Sequence, residues 1–414
     1  MSDCCAEPQA SPLMPLEQAL DRLLALARPV SGQERLPTRD GLHRVLAAPV
    51  ESAIDVPPWD NSAMDGYAIR SADAISHRGR LRVAQRIPAG VRGQPLAAGS
   101  AARIFTGAPL PEGADTVVIQ ELCEQEGDVV WVPGDTPAGA NIRRAGEDIP
   151  AGATIMTPGT RLQPQHLGLA ASVGVDELAV FRRLRVALFS SGDELVMPGQ
   201  SLGPGQIYNS NHYTLSGLLQ ALGCEVVHLG VVPDTLEATL EALARGADQA
   251  DLIVASGGVS VGEEDHVRPA VQRLGSLDLW KLAIRPGKPL ACGRIGDTPF
   301  IGTPGNPVSL FVTFVLFARP FILRMQGVTG EVRPTSHQVE ADFDWPKPDK
   351  RREFVRARLA AGHDGAARAQ IHPSRSSGVL SSLAWANGLA VIPEGRVVGK
   401  GEPIEFLPFS ELLT

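Results

Sequence analysis

Residues 251–265 read DLIVASGGVSVGEED, and this stretch decides the fold more than any other part of the chain. The run at 251–255 is short, mainly apolar and partly β-branched, which is typical of a buried strand. Gly257 and Gly258 follow it and allow several backbone N–H groups to point at one anion. Three carboxylates at 263–265 suit an anion site only where a divalent cation bridges the two, or where they orient a base or a sugar. The stretch therefore predicts a site for a phosphorylated ligand.

The segment that begins at residue 184 alternates strand patterns with helix patterns. The predicted strands are 185–189, 225–229, 252–255 and 279–284, and the predicted helices are 213–222, 236–245 and 265–274. Such alternation predicts a mostly parallel sheet with helices on both faces.

Acidic side chains follow three of these strands. Glu194, Asp234 and Asp265 each lie in the loop after a predicted strand or just beyond it. Ligands of open α/β sheets bind outside the carboxyl ends of the strands, so we expect the three carboxylates at one edge. Taken singly, each of them is equally well a turn residue or a helix cap.

Basic residues supply the opposite charge. Lys281 and Arg285 are four apart on the predicted strand 279–284 and its end, so we expect them to share a face, and Lys288 follows in the next turn. In the loop GTPGNP at 302–307, Asn306 suits a helix N-cap and Pro307 the first helical turn. The loop then presents the free N–H groups of a helix N-terminus to the site.

The composition limits the class of protein. The chain has 38 Lys and Arg against 46 Asp and Glu, and the net charge of −8 argues against a nucleic-acid-coating protein. We expect no signal peptide, and the apolar stretch 308–323 is short for a membrane span and is broken by Arg319-Pro320. Outside Cys4-Cys5 the five cysteines lack metal-ligand spacing, which predicts a reducing, cytoplasmic location. Cys4-Cys5 fits a disordered tail or a labile metal or redox site.

Composition also divides the chain. At 414 residues the length favours roughly two to four domains. A helix is predicted within 14–28 and another at 164–173, a Pro- and Gly-rich β region at 55–146, and a β-barrel or sandwich at the C-terminus. The predicted units are 14–54 with 147–183, 55–146, 184–330 and 331–414.

Two motifs lie outside the α/β unit. DNSAMDGYA at 60–68 places Asp65 in a Gly-containing turn, and RIFTGAP at 103–109 ends a strand pattern with Thr106 before a glycine. On the residues alone, each is either an ordinary turn or part of a site, and the turn is the favoured interpretation.

The motifs SGGVSVGEED, GTPGNPVS, NSAMDGYA, FTGAPLP, AGEDI and SSGDEL together resemble the molybdopterin molybdenumtransferase family, which includes MoeA and the gephyrin E domain. The resemblance runs from about residue 14 to the C-terminus in the family's motif order. It implies a multidomain α/β fold: a mostly parallel three-layer α/β domain, a β-rich inserted domain, an elongated N-terminal dimerisation domain and a C-terminal β-barrel-like domain. It also implies an enzyme of molybdenum cofactor biosynthesis that inserts molybdate into adenylated molybdopterin, with Mg²⁺-dependent hydrolysis of the adenylate and release of AMP.

The resemblance also assigns site residues. Asp65, Thr106, Glu194, Asp234 and Asp265 would be catalytic, with Glu194 and Asp265 as Mg²⁺ ligands and Asp65 or Glu194 positioning the attacking water. The nucleotide and pterin would contact Asp148, Ser256, Gly257, Gly258, Ser260, Pro304, Asn306 and Pro307. The oxyanion would be received by Lys281, Arg285, Lys288, Arg356 and Ser377. The family often has lysine where this chain has Arg285, and arginine adds a planar fork to the same charge.

The family's site lies at a dimer interface, so the resemblance implies a homodimer in which Asp65, Thr106 and Asp148 serve the partner's α/β domain. Other cofactor-synthesis proteins, among them molybdopterin adenylyltransferase, are the implied protein partners. Two alternatives share parts of this sequence pattern. Molybdopterin adenylyltransferase has the same α/β domain, but its glycine loop typically reads Gly-Gly-Thr-Gly. A gephyrin-like scaffold would bind other proteins without catalysis.

Overall fold

The computed structural model describes residues 13–258, 266–362 and 365–413. Cys4, Cys5, Ser260 and Asp265, for which the sequence made predictions, lie outside these ranges. The elements up to residue 183 are α1 Leu16–Leu26, β1 Gln33–Pro37, β2 Val50–Glu51, β3 Asn61–Ser62, β4 Gly66–Ile69, α2 Ser71–Ser76, β5 Arg80–Ile87, β6 Ser100–Ile104, β7 Thr116–Ile119, β8 Glu124–Glu126, β9 Val129–Trp131, β10 Ile142–Arg143, β11 Thr154–Met156, α3 Pro164–Ser172 and β12 Glu177–Phe181.

Antiparallel ladders in this part of the chain join segments that are far apart in sequence. β1 pairs with β12, β2 with β11 and β3 with β10. Residues between these arms form a separate six-stranded sheet in the order β7-β4-β6-β5-β9-β8. The chain therefore leaves the region of these three ladders after β3, forms the six-stranded sheet, and returns to the ladders at β10.

The next segment forms the α/β unit. Its elements are β13 Arg185–Ser191, β14 Leu195–Val196, β15 Ile207–Tyr208, α4 Ser210–Ala221, β16 Glu225–Val232, α5 Leu236–Gln249, β17 Leu252–Ser256, α6 Val267–Leu274, β18 Gly275–Lys281, β19 Ile284–Arg285, β20 Pro289–Ile295, β21 Thr298–Thr303, α7 Pro307–Thr313 and α8 Arg319–Met325. The main sheet has the order β16-β13-β17-β21-β20-β18. β16, β13, β17 and β21 run parallel, and β20 is antiparallel to both of its neighbours. The mostly parallel sheet that the sequence predicts is confirmed.

One predicted strand is wrong. The sequence predicted a strand at 279–284 with Lys281 and Arg285 on one face, but β18 ends at Lys281 and β19 begins at Ile284. Leu282 between them is fully buried, and β19 pairs with a strand of the C-terminal barrel instead of continuing the α/β sheet. Lys281 and Arg285 therefore belong to different sheets.

A long apolar helix forms the centre of the core. α7, a π-helical turn at Phe314–Ala318 and α8 make one continuous helix, Pro307–Met325. Pro320 has no N–H to donate to the preceding turn, which fits the wider π-helical turn just before it. The helix is long and apolar enough to cross a membrane, but 94% of its most apolar stretch is buried within the protein. It is therefore a core helix.

The C-terminal elements are β22 His337–Ala341, β23 Arg352–Ala361, β24 Ala367–Ile371, α9 Ser381–Trp385, β25 Gly388–Ile392, β26 Pro403–Pro408 and α10 Phe409–Leu412. The strands follow the order β23-β24-β22-β26-β25, and pairing of β23 with β25 closes them into a barrel. Val339, Trp345 and Phe406 fill its interior. The predicted β-barrel-like C-terminal fold is confirmed.

Candidate active site

Three loops meet at the carboxyl edge of the α/β sheet. They follow β13 at Ser191, β17 at Ser256 and β21 at Thr303, and these strands are parallel neighbours. Gly257 has φ +83°, and a Cβ there would lie 2.8 Å from the Ser191 carbonyl oxygen. A Cβ on Gly305 would lie 4.0 Å from the Cα of Gly257. Glycine at 257 is therefore required for the loops to approach each other this closely.

Backbone hydrogen bonds fix two of these loops to each other. The Gly257 N–H donates to the Thr303 carbonyl at 3.2 Å, and the Thr303 hydroxyl donates to the Ala255 carbonyl at 2.8 Å. Gly258 also has positive φ, and a Cβ there would collide with Val267 at the start of α6. The arrangement brings together the predicted residues Ser256, Gly257 and Gly258 with the loop that holds Pro304 and Asn306.

Asp234 ties the loop after β16 to the loop after β13. Its carboxylate accepts from the Ser191 hydroxyl at 2.7 Å and from the Asp193 N–H at 3.3 Å. In return, the Asp234 N–H donates to the Asp193 carboxylate at 3.0 Å. Both oxygens of the half-buried Asp234 carboxylate thus accept hydrogen bonds from the protein. The side chain therefore ties the loop after β16 to the loop after β13.

Glu194 lies in the same region but is exposed. Its carboxylate folds over Gly192, where a Cβ would come within 2.5 Å of it. The part of the chain that the structure describes contains no group of three or more His, Cys, Asp or Glu side chains arranged to hold a metal ion. Asp265, the second predicted metal ligand, is outside that part.

Lys281 and Lys288 lie at this same edge, because β18 ends where β20 begins. Lys281 is opposite Pro289 in the ladder, and the Leu282 N–H donates to the Lys288 carbonyl at 2.7 Å. Lys281 is half-buried and Lys288 is exposed. Within the described ranges neither ammonium forms an ion pair with a carboxylate, so both charges are available to an anion.

Arg285, by contrast, forms ion pairs with carboxylates of the C-terminal barrel. Its Nη1 donates to the Asp349 carboxylate at 3.1 Å, and its Nε lies 3.8 Å from the buried Glu353 carboxylate. Hydrogen bonds from Arg351, and then from Arg285, hold the pKa of Asp349 well below its usual range. Arg375 also donates to both Glu353 oxygens. The Arg285 guanidinium therefore joins the α/β edge to the barrel.

Arg356 and Ser377 bring a barrel loop to the same edge. Arg356 is only 2% exposed, and its guanidinium donates to the Ser374 carbonyl at 2.6 Å and the Ser376 carbonyl at 3.1 Å. Burial lowers the pKa of this guanidinium. The Ser377 carbonyl accepts from the Val308 N–H at 3.0 Å, in the first turn after Asn306 and Pro307. The described contacts of Arg356 thus shape the loop that carries Ser377.

Asp65 and Thr106 form a pair beside the sheet β7-β4-β6-β5-β9-β8, where Asp65 directly precedes β4 and Thr106 follows β6. The Thr106 N–H and the Thr106 hydroxyl both donate to Asp65 Oδ1, each at 2.8 Å. The N–H bond, followed by the hydroxyl bond, lowers the pKa of Asp65. Asp148 is exposed near this region, beyond the β3–β10 ladder. In the described residues, no hydrogen bond or ion pair of one chain joins these three residues to the α/β edge.

The sequence prediction missed Asn211. Asn209 caps α4 by accepting from the His212 N–H at 3.1 Å, and Asn211 lies in the first turn. The Asn211 amide nitrogen donates to the Ser256 hydroxyl at 3.1 Å and to the Gly305 carbonyl at 2.7 Å. The pattern Asn-Ser-Asn before an apolar helical run signals a helix start. It does not reveal that the second Asn reaches two loops from other strands.

Models of known families match most of the chain. Residues 14–174 match the MoeA N-terminal region (domain I and II), residues 187–324 a probable molybdopterin binding domain, and residues 338–409 the MoeA C-terminal region (domain IV).

Curated proteins and solved structures agree with these matches. A molybdopterin molybdenumtransferase of Haemophilus influenzae is 37% identical over 97% of this chain and 100% of its own length. The Bacillus subtilis protein of the same name is 32% identical over 96% and 94%. A crystal structure titled molybdopterin biosynthesis moeA protein, from Pyrococcus horikoshii, superposes with a TM-score of 0.82 at 28% identity and covers 96% of this chain and 100% of that one.

Proposed function

This chain belongs to the MoeA family of molybdopterin molybdenumtransferases and acts in molybdenum cofactor biosynthesis, and from this premise we propose the reaction that it carries out. The proposed substrates are adenylated molybdopterin and molybdate. The adenylate is hydrolysed in a Mg²⁺-dependent step and AMP leaves. Molybdate then exchanges one oxo group for the two dithiolene sulfurs, and that oxygen leaves as water with the two thiol protons. The products are AMP and active molybdenum cofactor.

The observation that carries the proposal is the composition of the α/β edge. Glycine loops after β17 and β21 lie side by side, and the ammonium groups of Lys281 and Lys288 reach the same edge without carboxylate partners among the described residues. Backbone N–H groups and lysines together stabilise phosphate and tetrahedral oxyanions. An adenylate linkage and a molybdate dianion both need such an environment, and holding them together lowers the entropic cost of their reaction.

Two carboxylates at the α/β edge, those of Glu194 and Asp234, could bind Mg²⁺. Proteins usually hold this ion by one or two carboxylates, several waters and substrate phosphates, so a preformed cage is not required. Glu194 supplies one exposed carboxylate at the α/β edge, and Asp234 a second that Ser191 and Asp193 already hold in place. When bound, Mg²⁺ would neutralise charge on the phosphoanhydride. The chain's own residues hold the phosphate at the glycine loops and orient the attacking water from Glu194 or Asp65.

We further propose that the active site is completed by a second copy of the chain. Asp65 and Thr106 form a hydrogen-bonded acid–hydroxyl pair. They adjoin the sheet that contains β4 and β6, whereas Glu194 lies in the loop after β13 of the α/β sheet. Apolar side chains are exposed beside both halves: Trp59 is 51% exposed near Asp65, and Ile207, 55% exposed, donates its N–H to the Glu194 carbonyl. Exposed apolar surface beside each half supports a contact between copies that joins the two halves.

We place the reaction in the cytoplasm, with molybdopterin adenylyltransferase as the supplier of the adenylated substrate. Cys123, Cys224 and Cys292 are free thiols, which supports a reducing compartment.

The test is a purified reaction with adenylated molybdopterin, molybdate and Mg²⁺, in which released AMP is measured by chromatography and the cofactor by activation of a molybdenum-free apo-oxidoreductase. Wild type should release AMP, and chelation of Mg²⁺ should stop the release. Glu194→Gln should slow it by about 10²- to 10³-fold, because one positioned carboxylate is lost.

Glu225→Gln is the matched control, since Glu225 lies at the amino end of β16, at the opposite edge of the same sheet, and it should react like wild type. Production of the adenylate from ATP and molybdopterin would instead assign adenylyltransferase activity. Absence of AMP release and cofactor synthesis by wild type would favour a scaffold role, and equal synthesis by wild type and Asp65→Asn would remove Asp65 from the active site.

A further inference from the structure

The side-chain amide of Asn211 lies between the two glycine loops of the active site. Its nitrogen donates to the hydroxyl of Ser256, the last residue of β17, at 3.1 Å. The same nitrogen donates to the carbonyl of Gly305, two residues after β21, at 2.7 Å. One side chain, anchored in the first turn of α4, therefore holds the end of one strand and the loop of its neighbour.

The orientation of this amide is fixed by chemistry. A carbonyl oxygen such as that of Gly305 only accepts hydrogen bonds, so the Asn211 atom beside it must be the NH₂ group. The reversed amide would place two oxygens 2.7 Å apart and would lose the bond to Gly305, whereas the Ser256 hydroxyl could donate to either orientation. Asn211 Oδ1 then faces away from Gly305.

Asn211 Oδ1 is buried and accepts no hydrogen bond from the described residues. An acceptor left in this way lowers the stability of the fold, and such groups need an explanation in the function of the protein. Here the NH₂ group makes its bonds to Ser256 and Gly305, and the orientation that the Gly305 bond imposes leaves the oxygen without a partner among the described residues.

We propose that Asn211 is a positioning residue that sets the spacing of the Ser256–Gly258 and 303–306 loops, and thereby the affinity of the enzyme for the nucleotide phosphate. This inference rests on the proposed function, because it assumes that these loops receive that phosphate. The backbone joins the two strands up to the ladder pair Ser256–Thr303, and the Gly257 N–H donates to the Thr303 carbonyl just beyond it. The Asn211 bond to the Gly305 carbonyl lies past this last ladder pair, so its loss should let the loop ends separate.

Loss of the Asn211 side chain should weaken nucleotide binding more than it slows the chemical step. Asn211 touches neither the proposed metal ligand Glu194 nor Asp234 in its described contacts. Its removal should therefore raise KM for the adenylate and the Kd for AMP, with a smaller change in kcat.

The experiment measures AMP binding by titration calorimetry for the full-length protein and three variants. Asn211→Ala should weaken binding about tenfold, because two hydrogen bonds that order the loops are lost. Asn211→Asp should weaken it further at pH 7, because a carboxylate cannot donate to Gly305 O and repels the phosphate.

Protonation should partly reverse the defect of Asn211→Asp. A carbonyl oxygen and a bound anion both raise the pKa of the introduced carboxyl, and the protonated form has an O–H that donates again. Relative to wild type at the same pH, its AMP affinity should recover as the pH is lowered. Ser210→Asp is the matched control: it adds the same charge beside residue 211 at the half-buried first position of α4, where an acidic side chain is favourable, and binding should change less than twofold.

The outcomes separate the two proposals. If wild type shows no AMP binding, the proposed function at this edge is wrong. If wild type binds AMP and Asn211→Ala and Asn211→Asp bind it equally well, the positioning role is wrong. A loss in Ser210→Asp as large as that in Asn211→Asp also contradicts it, since charge alone would then be responsible. Should Asn211→Asp fail to fold, Asn211→Ser, which keeps one donor, should give an intermediate affinity, and wild-type affinity in that variant would overturn the role.

Discussion

Thr106 is the main cause of the acidity of Asp65, and the nearby Arg103 charge adds to it. The residue is partly exposed in a turn, where sequence alone gives it no special property. Thr106 contributes a backbone N–H and a hydroxyl, both at 2.8 Å from the same carboxylate oxygen. Because hydrogen bonds to the charged form favour it, the pKa of Asp65 is lowered. The side chain thus stays a carboxylate to lower pH than an isolated aspartate does.

Thr106→Val should shift the pH dependence of AMP release. The variant keeps the backbone bond but loses the hydroxyl bond, so the pKa of Asp65 should rise. A lowered pKa means that the charged form is present above it and is lost as the pH falls through it. If the Asp65 carboxylate is required, activity on the acid side should therefore disappear at a higher pH in Thr106→Val. The measurement is the pH–rate profile of single-turnover AMP release.

Thr106→Ser is the control for that shift, because serine keeps the hydroxyl and should follow the wild-type profile. Coincident acid limbs for wild type and Thr106→Val would mean that the Asp65 charge does not limit the reaction.

Arg285 shows the limit of prediction for single residues. The sequence predicts that Arg285 shares a strand face with Lys281, which the structure contradicts, and it cannot show that Asp349 and Glu353 of the barrel neutralise the Arg285 charge. Those partners are more than sixty residues away in sequence, and they reach Arg285 only because β19 pairs with β23. The roles assigned to individual site residues by resemblance stay predictions.

At the scale of elements, strands with a strong apolar run were predicted well. The predicted 252–255 and 225–229 became β17 Leu252–Ser256 and β16 Glu225–Val232, longer by a few residues at the carboxyl end. The hairpin of β20 and β21 was missed, because ACGRIGDTPF has little alternation and its glycines suggest turns. In the structure, Gly293 is needed within β20, since a Cβ there would lie 2.2 Å from the Ser276 carbonyl.

The N-terminus of α5 gives a test at this scale. Thr235 caps the helix by accepting from the Ala238 N–H at 3.2 Å, directly after Asp234. Thr235→Ala should lower the free energy of unfolding by about 1 kcal/mol, because an N–H of the first turn loses its partner. Chemical denaturation measures this change. Thr235→Ser keeps the capping oxygen, so its free energy of unfolding should fall much less. An equal decrease in both variants would assign the effect to the missing methyl group.

At the scale of the whole molecule, the candidate residues fall into two sets on two sheets. One set contains Glu194, Asp234 and Lys281 at the α/β edge, and the other contains Asp65 and Thr106. The barrel completes the first set through the Arg285 ion pairs and the Ser377 loop. The sequence predicted these sheets. That the two sets meet in one active site stays a prediction, as do the boundaries of the four units.

A mixing experiment decides how the two sets combine. If each active site takes Asp65 from one copy and Glu194 from the other, Asp65→Asn and Glu194→Gln should each be inactive alone but should complement each other. In a mixed two-fold dimer, one site receives both altered residues and the other receives both native ones. Random exchange of subunits should therefore restore about a quarter of the wild-type rate of AMP release.

The same mixture distinguishes the competing arrangement. If Asp65 and Glu194 of one copy served the same site, every site in the mixture would carry one altered residue and no activity would return. Two controls are needed: each variant exchanged with itself should stay inactive, and light scattering should show that mixed and unmixed samples have the same mass. Because the exposed Trp59 and Ile207 lie beside the two halves, Trp59→Asp should reduce both the dimer mass and the recovered activity together. Recovery that survives loss of the dimer would contradict a shared site.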